Sequence, residues 1–158
     1  MIAAVDKGVG MADNEGMRPN EAKMRQIKRL AEEKEVRAII ARDFSASRMS
    51  NTRWQQTLWS LEDIPGKRRV KFVDVKEPLD GWLRIATKTY FDSWWGPVLI
   101  LSVEWLEIRP IEEIGRGMLQ EPTQVNHGAE VERRLQEINV TYERVEDSIR
   151  IIGHVRNG

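Results

Sequence analysis

Along the 158-residue chain the spacing of apolar positions changes character more than once. From Glu21 to Arg42 there is no Gly or Pro and a dense run of strong helix formers, which predicts a helix over 20–44 opened by Pro19 and Asn20. Met24, Ile27 and Ala31 mark one face, and Val36, Ile39 and Ile40 another, rotated around the axis. The second half is expected to face the core, and the charge-dense first half to project into solvent. A second helix begins at Ser50 or Asn51, either of which can accept a backbone N–H from the first turn. Trp54, Leu58, Trp59 and Leu61 are assigned to one broad core-facing side, and Pro65-Gly66 stops the element.

From Lys67 the period becomes two. Val70 and Phe72 alternate with Lys71, and Val73 and Val75 take the other face. After a turn at Glu77-Pro78-Leu79-Asp80-Gly81, the stretch 81–91 alternates again and reads as a strand. Val98 to Ile108 reads as one long strand in which Leu99, Leu101, Val103 and Trp105 share a face before the phase moves to Leu106 and Ile108. A one-residue shift of this kind is what a β-bulge produces. Residues 111–125 look irregular. An amphipathic helix then runs through Val131, Leu135 and Ile138 with Asn126 as its cap, followed by two strands turning at Glu146-Asp147, the final one holding Ile149, Ile151 and Val155. This order predicts an α+β fold: a largely antiparallel sheet of about five strands with three helices packed against it. Residues 20–158 are expected to form that single domain, and the Gly/Asp/Asn-rich residues 1–19 a mobile tail.

Composition narrows the function classes. With no cysteine, disulfides, thiolate metal sites and cysteine nucleophiles are excluded. Lys plus Arg equals Asp plus Glu at 25 each, so no global field draws the protein to nucleic acid or to an anionic membrane, and neither is expected as a partner. The longest apolar run, Val98 to Val103, is far short of the roughly 20 residues of a membrane span, and the N-terminus lacks the charged and apolar regions of a signal peptide. A cytoplasmic location is therefore expected.

Candidate chemistry is sparse. Glu104 interrupts an apolar strand beside Trp105; it is either a carboxylate with a raised pKa poised as a base or, on the plainer reading, the partner of an arginine or a solvated position. His127 and His154 lie far apart, without the HxH or HxxxH spacing of a metal site. There is no GxSxG elbow, GxGxxG or P-loop; the glycines at 8–10 and 115–117 lack the strand–helix setting that phosphate binding needs. No catalytic residue, metal or cofactor is expected. Trp94 and Trp95 stand apart: neighbours in an extended segment point to opposite sides, so one of the two should lie near the surface. They either pack beneath 111–125, anchor a protein interface, or stack a ligand.

Two segments carry a resemblance. Met49-Ser50-Asn51-Thr52-Arg53-Trp54 at a helix start, and Val103-Glu104-Trp105-Leu106 running to Arg109-Pro110, resemble an uncharacterised family of small bacterial proteins over roughly residues 35 to 155. Ser50 stands where that family has an Asn, and Trp94-Trp95-Gly96 where it has a more polar Trp-Gly pattern. The family implies no activity. In general style such proteins are similar to immunity proteins, which neutralise a specific toxin. The expectation is thus a non-catalytic module binding a protein partner, a toxin, by occlusion, with Trp94 or Trp95 as anchor and Arg109, Glu112 and Glu113 at the site. The alternatives are a small-ligand or nucleic-acid binder using tryptophan stacking beside Arg68, Arg69 or Arg109, and a homodimer joined through the Trp-Trp segment.

Overall fold

A computed structural model gives the fold and describes residues 19–115 and 117–158. The expected tail lies outside the described residues, except Pro19, where α1 (Pro19–Asp43) begins. The chain divides into two compact units between Glu35 and Val36. In the first unit Met24, Ile27 and Leu30 are exposed on a helix whose charged residues follow no single face.

The second unit holds the sheets. Its elements are the end of α1, then β1 (Phe44–Ser47), α2 (Asn51–Leu61), β2 (Lys67–Phe72), β3 (Leu79–Asp80), β4 (Leu83–Ile85), β5 (Tyr90–Ser93) and β6 (Val98–Leu99). A 3₁₀ turn (Ile100–Ser102) leads into β7 (Val103–Arg109), β8 (Ile111–Ile114), β9 (Thr123–Asn126), α3 (Gly128–Glu137), β10 (Tyr142–Val145), β11 (Ser148–Ile152) and β12 (His154–Arg156). The main sheet has five antiparallel strands in the order β10-β11-β7-β2-β3. Smaller ladders join β4-β5-β6, β8-β9 and β12-β1. The fold is α+β and its central sheet is antiparallel, as the period change predicted.

Register explains the core. Val70 pairs with Leu106 and Ile151 with Leu106, while Ile108 pairs with both Arg68 and Ile149, so these side chains share one face. Trp54 and Leu61 of α2 and Val131 and Leu135 of α3 close over that face, all buried. Each fully buried aliphatic side chain of this kind contributes about 1.5–3 kcal/mol. The last turns of α1 serve a second, smaller cluster, where Val36 packs with Phe44, Val73 and Leu99. Ser50 caps α2 as expected, its Oγ accepting the Arg53 N–H at 3.1 Å.

The predicted bulge is present. Lys71 pairs with Trp105 but Phe72 pairs with Val103, leaving Glu104 as the extra residue on β7. Its carbonyl accepts the Gly153 N–H at 2.7 Å, and a Cβ on Gly153 would lie 2.5 Å from the Val103 carbonyl oxygen. That close approach ends β11 and starts β12, so the expected final strand is two strands in different ladders. Three other expectations are corrected. Residues 98–108 are not one strand, because the Ser102 hydroxyl donates to the Leu99 carbonyl at 2.6 Å and closes a 3₁₀ turn inside the apolar run. The stretch 81–91 is interrupted, since the Thr87 side chain accepts from the Thr89 and Tyr90 N–H groups and reverses the chain between β4 and β5. Residues 111–125 are not irregular: β8 and β9 form a hairpin in which Glu112 pairs with Val125 and Glu113 with Gln124. Their long polar side chains hid the alternation.

Candidate functional site

The turn between β5 and β6 is Trp94-Trp95-Gly96-Pro97. Ser93, buried at its foot, fixes it from both sides: its Oγ donates to the Gly96 carbonyl at 2.6 Å and accepts the Trp95 N–H at 3.1 Å. Gly96 has φ 92°, a region closed to most L-residues, and its N–H returns to the Ser93 carbonyl at 3.2 Å. The two indoles are thereby sent to different surroundings. Trp95, 42% exposed, leans on the bare backbone of Gly81, where a Cβ would come 2.6 Å from its ring, and meets Phe72 edge-on at 6.1 Å. Trp94 is 70% exposed. What Trp95 packs against is Gly81 and Phe72 rather than the hairpin over 111–126.

Arg109 ends β7 in the main sheet, Glu112 and Glu113 lie in the β8–β9 hairpin, and each has a polar partner of its own. Arg109 pairs with Asp147 at 3.0 Å. Glu112 is bonded to His127 Nε2 at 2.9 Å, and Glu113 accepts from Gln124 at 3.4 Å. Among the described residues, no hydrogen bond or ion pair links these three side chains to the tryptophan turn.

Glu104 takes the plainer of its two readings. It is buried, and Arg156 grips it through Nε at 3.0 Å and Nη2 at 3.0 Å while Lys71 Nζ stands at 3.2 Å. Lys71 is itself buried and spends two further donors on the carbonyls of Phe72 and Val75. Beside this cluster His154 is buried between the Leu101 carbonyl, 2.7 Å from Nε2, and Ser47 Oγ, 2.7 Å from Nδ1. A carbonyl can only accept, so Nε2 carries the proton and Nδ1 accepts the Ser47 hydroxyl. Burial holds this imidazole below its ordinary pKa. Glu107, also buried, is bridged by Arg69 at 3.0 Å and Arg150 at 2.9 Å, and Arg150 lies 4.0 Å from the centre of the Trp105 ring. These are closed charge pairs. Among the described residues no three His, Asp or Glu side chains gather as a metal cage.

Sequence reasoning missed three features. Trp59, assigned to the core, is 74% exposed. At about 100° per residue it lies roughly 140° around α2 from Trp54, whereas Leu58 and Leu61 fall within about 40° of it, so strict angular bookkeeping places it outside. Met118 and Leu119, between β8 and β9, are 99% exposed. Nearer the core, Arg68 sits at an inward register position opposite Ile108 and lines a cleft with Trp82 and Arg84. The tryptophan beside Arg68 is therefore Trp82, and Arg69 lies on the opposite face of the sheet, pointing to Glu107.

Among the described residues no helix is long and apolar enough to cross a membrane. No curated protein and no solved structure matches the chain at a significant level. A family model does, over residues 36–158, which is the whole of the second unit and the stretch that carries the tryptophan turn, the bulge and the cleft; the chain belongs to the family of unknown function DUF6678.

Proposed function

We propose that this protein is a non-catalytic binding module that works by occluding a protein partner, and that it is of the immunity type, in which the partner is a toxin. The observation behind this reading is Trp94: a large indole exposed at 70% on a turn fixed by Ser93 and Gly96. A rigid exposed tryptophan loses little conformational freedom on docking and buries much area, which is the profile of an interface hot spot. Trp95 supplies the adjoining apolar surface. Arg109 and Glu113 are exposed and Glu112 partly so; each has a partner, and exposed charges of this kind steer approach.

The test is co-expression with the product of the neighbouring gene, followed by co-purification and measured affinity. The expected result is a stoichiometric complex whose affinity falls by at least ~2 kcal/mol, roughly 30-fold, in Trp94→Ala. An unchanged affinity removes Trp94 from the interface. The immunity refinement further expects that the neighbour arrests growth when expressed alone and that the wild-type protein, but not Trp94→Ala, relieves the arrest. Sedimentation at rising concentration separates this reading from a homodimer joined through the same turn.

A further inference from the structure

The cleft between α2 and the β4 segment has a volume of about 620 Å³, within the range of small-molecule pockets. Its inner lining is apolar: Leu58 stands beside Leu61, Leu83, Leu106 and Ile108, the last four members of the buried core cluster. Trp82 forms one wall. The cations are what set it apart. Arg68 occupies a strand position paired with Ile108, and it turns back past the end of α2, donating to the carbonyls of Leu61 at 2.8 Å, Ile64 at 3.0 Å and Gly66 at 3.2 Å. Those bonds use three of the five guanidinium N–H groups, leaving two, and carbonyls do not neutralise the charge. Burial lowers its pKa, the mark of a cation poorly supplied with water. Arg84 stands over Trp82, 4.8 Å from the ring centre, and also lines the cleft. Neither arginine has a carboxylate partner among the described residues, although nearly every other arginine of the sheet does. One acid, Glu62, stands on the lining.

We infer that this cleft binds a small organic monoanion, a single carboxylate carried on an apolar chain or ring. The apolar body lies on the leucine lining against Trp82, and the carboxylate meets the free N–H groups of Arg68 and the guanidinium of Arg84. Two cations against one carboxylate leave a single positive charge, which suits a monoanion, while Glu62 repels a phosphate dianion. The inference is independent of the Trp94 reading, because it uses none of the same residues.

The experiment is a titration of the whole isotope-labelled chain with octanoate, its neutral isostere octanamide, and inorganic phosphate, followed by amide and indole resonances. Octanoate is expected to shift the Trp82 indole and the amides of Leu83 and Ile85 saturably, binding roughly tenfold or more tighter than octanamide. Arg84→Gln, on an exposed side chain, is expected to weaken octanoate severalfold and leave octanamide unchanged. Arg68→Met is expected to do the same, but it also removes three bonds at the end of α2, so Arg84→Gln decides if that variant fails to fold. Equal binding of octanoate and octanamide, shifts confined to other residues, indifference of octanoate to Arg84→Gln, or phosphate binding as tightly as octanoate would each overturn the inference.

Discussion

At the β7 bulge, Glu104, Lys71 and His154 are withdrawn from water, and each finds a partner: a guanidinium, an ammonium, a carbonyl, a hydroxyl. At the turn between β5 and β6, Trp94 is held out in water by a hydroxyl and a glycine that serve the backbone and leave the ring uncovered. One region takes polar groups inward and satisfies them. The other presents an apolar group outward and does not. Local polar bonds achieve both, so what separates the two regions is where the large side chain ends up, and only the second leaves surface to offer a partner.

The contrast can be broken most severely at Glu104. Glu104→Ala strands the buried Lys71 ammonium, and urea unfolding should show a loss of about 3–5 kcal/mol; a loss under about 1 kcal/mol would mean the cluster does not hold the bulge. Gly153→Ala comes next. Its methyl would meet the Val103 and Glu104 carbonyls and the Trp54 ring, at 2.5, 3.0 and 3.0 Å, so a cost of about 1–3 kcal/mol is expected by the same assay. Acid tests the third member. The unfolded chain takes up a proton on His154 near 6.5, while the fold keeps the ring neutral, so stability is intact above that pH. It should fall as pH drops through 6.5 toward the lower folded value, by at most about 1.4 kcal/mol per unit. His154→Gln should flatten that part of the curve. Trp94→Ala sharpens the comparison from the other side: its stability should lie within about 0.5 kcal/mol of wild type, since most of the residue is already in water.

Much of this was legible from local pattern. The shift of apolar phase foretold a bulge, because a side-chain period of two cannot change phase without an extra residue, but it placed the shift after Trp105; the extra residue is Glu104, which puts Trp105 on the face opposite Val103. Adjacency pointed to at least one tryptophan of Trp94-Trp95 at the surface; because the pair lies in a turn and not in an extended strand, both are exposed, Trp94 the more so. The cap at Ser50 and the stop at Pro65-Gly66 came from turn chemistry. What escaped was set by distant chain. Glu104 is answered by Arg156, fifty-two positions on, and nothing near either residue announces the pairing. The hairpin over 111–126 escaped because Glu and Gln fill positions where alternation would otherwise show, and the Arg68 cleft because an arginine on an apolar register is visible only once its partner strand is known.

The β12–β1 ladder ties residues 154–156 to residues 44–47, and β11, at 148–152, sits between β10 and β7 within the main sheet. Strands made late in synthesis therefore complete ladders begun earlier, β12 roughly a hundred positions after β1 and β11 roughly forty after β7. A chain emerging from the ribosome holds β1 without its partner strand and β7 with one flank unfilled, and the Glu104 carboxylate without Arg156, until almost all of the described sequence is out. Pairings of this separation carry a larger loop-closure cost than helical contacts, so folding is expected to be slower than that of a helical protein of equal length.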